Sequence, residues 1–527
     1  MYDYVIVGAG SAGSVLAARL SEDPRITVCV VEAGPADDAE NIRIPAAFGT
    51  LFRSRIDWDY DSHEEPMLHR RRIYLPRGKT LGGSSSINAG LYLRGNPSDF
   101  DSWGQPGWTF ADLLPYFKRS EDNERGESAF HGAGGPMSVS EGRSNNVMAK
   151  AFVDAALEAG HPYNTDFNDG DRQDGFGYFQ MMQRDGRRWS SADAYLRPAL
   201  GRPNLTLETN LQIHRILIEN GRAVGVTGYR LDEQITLRAS REVILCSGSY
   251  NTPFLLMHSG VGPAKVLSAV DIPVLLDHPD VGQNLHDQPI VPMVFPHDHP
   301  VSTLIAHQPE YVREFQEHGT GPLTSNGPES GGYIRTRAGL AAPDVLFYSG
   351  PLMFADSGLG LPSGHGITFG PVVLNPQSTG DVSLDSDDPT TKPKIVHNYF
   401  TAPDDLLSAV GGVRAGLEIA RQKSLQPYTG TMLRAPASGS EKDLVEYIRL
   451  HAHSIFHATS TCMIGKVVDA ELRVKGIEGL RVADASIMPR PGRGAPNSTV
   501  IAIGEKAADL ILGRPAPRPL IATATKE

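Results

Sequence analysis

The strongest constraint on the fold is a glycine-rich turn that follows an apolar run near the N-terminus. The residues read Val5-Ile6-Val7-Gly8-Ala9-Gly10-Ser11-Ala12-Gly13. A helix-like segment follows from Ser14 to Leu20, and a second apolar run, Ile26 to Val31, ends in Glu32. A βαβ unit gives each glycine a physical reason. Gly8 permits the tight turn, Gly10 lets a pyrophosphate approach the backbone, and Gly13 lets helix and strand pack closely. The helix N-terminus offers free N–H groups and partial positive charge to phosphates. Glu32 stands 19 residues after Gly13, where an acid binds both ribose hydroxyls and repels a 2′-phosphate. NADP is disfavoured, whereas FAD and NAD both fit the motif.

The rest of the chain sets the class. With 527 residues there is room for more than one unit, and 40% hydrophobic with 21% charged residues excludes a wholly disordered chain. The net charge of −12, without a long basic run, argues against nucleic acid as a partner. Arg70-Arg71-Arg72 reads as a solvated or locally paired cluster. Cys29, Cys246 and Cys462 are odd in number and far apart, which fits neither a disulfide framework nor a zinc site and suits a reducing compartment. No apolar run reaches the ~18 residues of a membrane span. Strand-like residues from Tyr4 onward leave no signal peptide, so a cytoplasmic location is expected. The Pro-rich end, residues 516–527, reads as a disordered tail.

Further motifs follow in order. Arg77 to Gly90 is a Gly/Ser loop flanked by apolar residues, which suits an ordered loop offering N–H groups and hydroxyls to a polar ligand. Leu211 to Glu219 and Ala223 to Tyr229 flank Asn220-Gly221, a type I′ hairpin signal. Val243 to Cys246 reads as a strand, and Pro253 as the first turn of a helix ended by Gly260, Gly262 and Pro263. Leu480 to Ala485 reads as a strand carrying Asp484 at its end, and Val500 to Leu512 as a helix closed by Gly513. Residues 290 to 440 are rich in Pro and Gly with short alternating runs, which predicts an antiparallel sheet.

These motifs together resemble the glucose–methanol–choline (GMC) family of flavoprotein oxidoreductases over nearly the whole chain. The resemblance rests on Gly8 to Gly13 with Glu32, Leu81 to Asn88, Tyr92 to Gly95, Gly248 to Pro263, Val281 to Asp287, His457 to Gly465, and Asp484-Ala485. It implies an α/β fold: a doubly wound, Rossmann-like FAD domain interleaved with an α+β substrate domain containing an antiparallel sheet. The expected FAD domain is 1–155, 200–290 and 445–515; the expected substrate domain is 156–199 and 291–444. The implied cofactor is FAD rather than NAD. Gly8, Gly10, Gly13 and Glu32 would hold its ADP half, Ile213 its adenine, and Asp484 and Ala485 the pyrophosphate-to-ribityl region. Gly82, Ser84, Asn88 and Ala89 would lie along the pyrophosphate and flavin, and Ser11, Ala12, Ala33 and Ser498 complete the expected contacts. Where some members attach FAD through a histidine, this chain has Ile87, so non-covalent FAD is expected.

The resemblance also implies oxidation of an alcohol to an aldehyde or ketone, with His457 as the base. A neutral imidazole is suited to take the hydroxyl proton near neutral pH. His286, His451 and His453 are read as structural or pocket-lining, and no metal site is expected. One position departs from the family pattern. Ten residues before Glu505, where the family carries a second His or Asn, stands Ala495; the nearest amide is Asn497. Asn497 is therefore expected at the flavin edge and as a candidate catalytic partner. A missing partner would favour the alternative, a flavin-containing lyase or decarboxylase. The expected partners are a small alcohol and an electron acceptor (oxygen, quinone or another), with no membrane. Tyr348, Phe354 and Glu329 supply the acid and aromatics a choline site would need.

Overall fold

A computed structural model describes residues 1–170, 172–360 and 362–520, so part of the expected tail, 521–527, lies outside the described residues. Strand β1 (Tyr2–Val7) feeds helix α1 (Ser11–Leu20), and α1 feeds β2 (Val28–Val31). β1 and β2 pair in parallel. All of β2 and the last four residues of β1 are buried, as strands covered on both faces require. Gly8 has φ +101°, and a Cβ there would sit 2.5 Å from the Cys246 carbonyl oxygen. A Cβ on Gly13 would sit 1.9 Å from the Gly8 oxygen, so the helix meets the turn only because both residues are glycine.

Helix α2 (Val147–Glu158) comes next among the elements used here, and it packs away from this sheet. Strand β3 (Leu205–Glu208) then joins β2 in parallel. Strands β4 (Gln212–Glu219) and β5 (Arg222–Arg230) form the expected hairpin. Asn220 and Gly221, with φ 51° and 78°, make the turn. Strand β6 (Glu233–Leu245) does two jobs. Its first half pairs antiparallel with β5, and its last four residues pair in parallel with β1.

Helix α3 (Gly248–His258) leaves the end of β6. Pro253 therefore lies inside the helix rather than in its first turn, a correction to the sequence reading. The Ser249 carbonyl, which a residue-253 N–H would normally bond, accepts instead from the Thr461 hydroxyl at 2.7 Å.

The second sheet contains β7 (Pro289–Ile290), β8 (Met293–Pro296), β9 (Ser330–Ile334), β10 (Val345–Gly350), β11 (Gly366–Val373) and β12 (His453–Ser454). It is antiparallel in the order β9-β10-β11-β7-β12, with β8 also on β11. Helix α4 (Pro403–Ala420) and α2 cover one face; Phe152 of α2 lies 5.0 Å from Phe369 of β11, ring to ring. The end of the segment 1–155, expected in the first unit, thus packs on the second sheet, and so do β7 and β12 from the expected borders. The other face carries Ile290, Leu346, Tyr348 and Val372 against Leu91, Leu93, Ile455 and Ala495.

The chain finally returns to the first sheet. Strand β13 (Leu480–Val482) pairs in parallel with β6, completing the order β3-β2-β1-β6-β13. Helix α5 (Pro496–Leu512) starts four residues earlier than the periodicity implies, with Pro496 in its first turn and Gly513 as its left-handed cap. It packs on α1, where Arg19 and Glu505 pair at 2.8 Å. Among the described residues no helix is long and apolar enough to cross a membrane.

Candidate active site

The parallel strands end in one row, with Val7 opposite Val31 and Leu245, and Leu245 opposite Val482. A cavity of about 530 Å³ opens at this row and extends to the second sheet. Gly8, Gly10, Ser11, Ala12, Glu32, Ala33 and Ile213 line its first end. Helix α1 has no side-chain cap, so its orphan N–H groups face a site lined by its own first turn. The Glu32 carboxylate accepts from the N–H groups of Ala9 (3.1 Å) and Gly34 (2.9 Å). Burial pushes its pKa up to about 7. Of the expected contacts, Gly13, Gly82 and Ser498 do not line the cavity. Gly13 serves packing, Gly82 donates its N–H to Ala9, and Ser498 donates to the Leu93 carbonyl at 2.8 Å.

Ser84, Asn88 and Ala89 line the middle of the cavity. The Asn88 side-chain oxygen accepts from the Gly90 N–H (2.9 Å) and from Arg188 (3.0 Å), which leaves the amide N–H groups for the cavity. Arg188 is buried, donates to the Ile42 and Ser85 carbonyls, and has no carboxylate within ion-pair distance among the described residues. Burial lowers its pKa to about 10. Arg188 reaches the cavity through Asn88, which lines it. Asp484 and Ala485 also line this region. The Asp484 carboxylate is fully engaged: it accepts from the Gly248 N–H (2.9 Å), Thr252 (2.6 Å), and the N–H and hydroxyl of Ser486 (2.8 and 2.5 Å). Its side chain ties the start of α3 to the end of β13.

His457 lines the cavity where the two sheets meet. Its backbone N–H donates to Asp287 at 2.7 Å, and its Nδ1 lies 2.6 Å from the Gln288 side-chain oxygen. The Gln288 amide donates to the Gly492 carbonyl at 2.9 Å, which turns its oxygen toward the ring. Nδ1 therefore carries the proton and the Nε2 lone pair stays free. Burial is the main cause that holds the His457 pKa down to about 4; Asp287 opposes it and the Arg77 cation adds to it. Phe456, just before it, has φ +70°, a conformation costly for an aromatic residue. The Ser454 hydroxyl accepts its N–H at 2.6 Å and Arg77 donates to its carbonyl at 2.9 Å. Asp287 anchors the same loop, accepting from Tyr399 at 2.5 Å and from Ser454.

Asn497 and Ala495 both line the cavity. The Asn497 side chain bonds Ser11, whose hydroxyl donates to its oxygen at 2.5 Å, and its amide reaches the Met182 sulfur at 3.2 Å. The Ser11 bond ties it to the start of α1. His453 donates Nδ1–H to the Ser454 carbonyl at 2.7 Å, and His286 to the Asn284 carbonyl at 2.8 Å; burial lowers both to about 4. Gln288 and Arg188 are the site residues that the sequence reading missed. Gln288 follows the recognised Asn284-Leu285-His286-Asp287 run by one position, which is the signal that points to it.

A doubly wound sheet with an uncapped helix turn, joined through one cavity to a second sheet whose edge strand leads into His457, has the plan of a dinucleotide-binding enzyme. Residues 2–290 match the N-terminal part and residues 376–504 the C-terminal part of the GMC oxidoreductase family. The chain belongs to that family and is an oxidoreductase. It is 41% identical to an uncharacterized GMC-type oxidoreductase of Mycobacterium tuberculosis, over 97% of this chain and 99% of that one. It is 40% identical to an oxygen-dependent choline dehydrogenase of Brucella anthropi, over 97% and 96%. Among solved structures it resembles pyridoxine 4-oxidase from Mesorbium loti, with TM-score 0.88 and 30% identity over 98% of this chain and 100% of that one. It also resembles the formate oxidase of Aspergillus oryzae, a protein with FAD modification, with TM-score 0.90 and 29% identity over 97% and 98%.

Proposed function

We propose that this chain is a cytoplasmic, FAD-dependent enzyme that oxidises an alcohol to an aldehyde or ketone, with His457 as the base. The observation that supports this most is the single cavity joining the α1 turn to the free Nε2 of a neutral His457. The residues fit FAD. The uncapped α1 turn suits its phosphates, the Asn88 amide, held by Arg188, suits its flavin, and Glu32 with Ile213 suits its adenosine end. With Ile87 in the Gly/Ser loop, the cofactor is held without a covalent bond. When bound, FAD supplies a two-electron hydride acceptor.

The protein's part is proton management. As the substrate O–H bond breaks, its proton passes to Nε2 of His457. Gln288 keeps Nδ1 protonated throughout, and the Asp287 carboxylate stabilises the imidazolium that forms. Ala495 adds only a methyl group to the wall, and Asn497, which lines the same cavity, is the candidate second partner of the substrate oxygen. Oxygen, a quinone or another small acceptor then removes the electrons.

The test is the visible spectrum of the purified protein, recorded anaerobically with a panel of alcohols. Bleaching of a flavin band by one of them is the expected result. A flavin that no alcohol bleaches would favour the lyase or decarboxylase reading, which the missing partner at Ala495 motivates. His457→Ala is expected to keep its flavin and fold while kcat/KM falls by about 10²–10⁴-fold. Near-normal turnover in that variant would remove His457 from the mechanism.

A further inference from the structure

The two ends of the cavity differ in chemistry. Among the described residues the carboxylates that line it are Glu32 and Asp484, both at the nucleotide end. Each is engaged by the protein, Glu32 with Ala9 and Gly34, Asp484 with Gly248, Thr252 and Ser486. Glu329, the acid that the sequence offers as a cation partner, does not line the cavity. It is buried elsewhere, accepting from Ser325 at 2.5 Å and from Ser144.

Around His457 the wall is apolar, with Phe48, Phe52, Leu352, Phe354 and Phe456 all lining the cavity. The rings are packed on one another rather than arranged around a common point. Phe52 is edge-on to Phe48 (5.9 Å, 76°) and to Phe456 (6.0 Å, 78°), and Phe48 stacks on Phe354 (6.5 Å, 27°). The Thr368 hydroxyl, a polar group of this wall, donates to the Leu352 carbonyl (2.7 Å) and accepts the Phe354 N–H (2.9 Å). Asp287, which accepts the His457 N–H at 2.7 Å, does not line the cavity; the charged side chain beside this loop that does is Arg77, which donates to the Phe456 carbonyl at 2.9 Å.

We infer that the alcohol taken by this site is uncharged and carries an apolar aryl or alkyl body, and that quaternary-ammonium alcohols such as choline are rejected. This rests on the alcohol-oxidising reading above. A quaternary ammonium would lose its water and meet no carboxylate on the wall at this end, because Asp287 lies off the wall and is held by His457, Tyr399 and Ser454, whereas the Arg77 cation lines the cavity. Cation–π attraction to phenylalanine faces already packed together does not offset that loss. An apolar body gains from leaving water for the same wall.

The test uses the flavin-loaded enzyme under anaerobic stopped flow with choline, benzyl alcohol and 1-octanol as probes. Benzyl alcohol or 1-octanol is expected to reduce the flavin with a second-order constant at least about 100-fold larger than choline does. Choline at parity or better overturns the inference while leaving alcohol oxidation standing. A second measurement is independent of turnover: the shift of the flavin absorption band on adding toluene or tetramethylammonium. Binding of toluene but not of tetramethylammonium supports the inference, even where no alcohol reduces the flavin and the oxidation reading alone fails. Preferential binding of tetramethylammonium, or binding of neither, overturns it.

Discussion

In the proposed mechanism His457 can act as a base only while Nε2 keeps its lone pair, and that depends on what Nδ1 touches. Gln288 presents a neutral acceptor there, so burial, opposed by the Asp287 charge, holds the pKa down to about 4. Gln288→Glu would put a carboxylate against Nδ1. An opposite charge at that distance raises a pKa by about 1–3 units. The sign follows directly. The base works when unprotonated, so activity falls as pH drops through the His457 pKa. The acid limb of the kcat/KM profile, expected near pH 4 in the parent, should move upward by about that amount in Gln288→Glu. An unmoved limb would show that another group controls it. At this scale the sequence reaches residues carried by linear motifs, such as His457 and Glu32. It does not reach Gln288 or Arg188, because their roles depend on contacts from distant segments: Gly492 for one, Ile42 and Asn88 for the other. Asn497, which the sequence offers as a partner for His457, lines the same cavity and is held by Ser11 and Met182, contacts that its motif does not encode.

At the scale of elements, periodicity and turn chemistry locate the hairpin, the strands of the first sheet and the α5 helix, but helix starts are missed where proline is involved. Pro253 reads as an N-terminal residue because an interior proline leaves a carbonyl without its usual donor. The sequence cannot show that Thr461 repairs that loss from another part of the chain. The repair joins α3, which begins at the cavity wall, to the segment that follows His457. Thr461 is fully buried, so Thr461→Val keeps the shape and strands the Ser249 carbonyl. The expected cost is about 1–3 kcal/mol, read as a lower midpoint of urea unfolding. Flavin content should stay at the parental level in the folded protein. An unchanged midpoint would mean that the Ser249 carbonyl finds another donor.

For the whole molecule, the chain crosses between its two sheets repeatedly, and the cavity lies where the crossings meet. Its walls come from β1, β2, β4, β7, β10 and β11, from the start of α5 with Asn497, and from the loops carrying Asn88 and His457. The two-unit plan was legible in the switch from long apolar runs to short alternating ones. The borders were less so: α2, β7 and β12 join the second sheet through packing that no local pattern encodes. A cavity built in this way makes the cofactor part of the core. Without FAD, the uncapped α1 turn and the Asn88 side chain face about 530 Å³ of space that protein atoms do not fill. A ligand that binds only the folded state stabilises it by about 2.7 kcal/mol at a hundred times its Kd. Flavin removed by dialysis against concentrated bromide should therefore lower Tm, and added FAD should restore it in a concentration-dependent way. Acid precipitation should release all of the flavin to the supernatant, because Ile87 offers no atom for a covalent link. Flavin retained in the pellet would contradict non-covalent binding, and a Tm indifferent to FAD would separate the cofactor from the core that unites the two sheets.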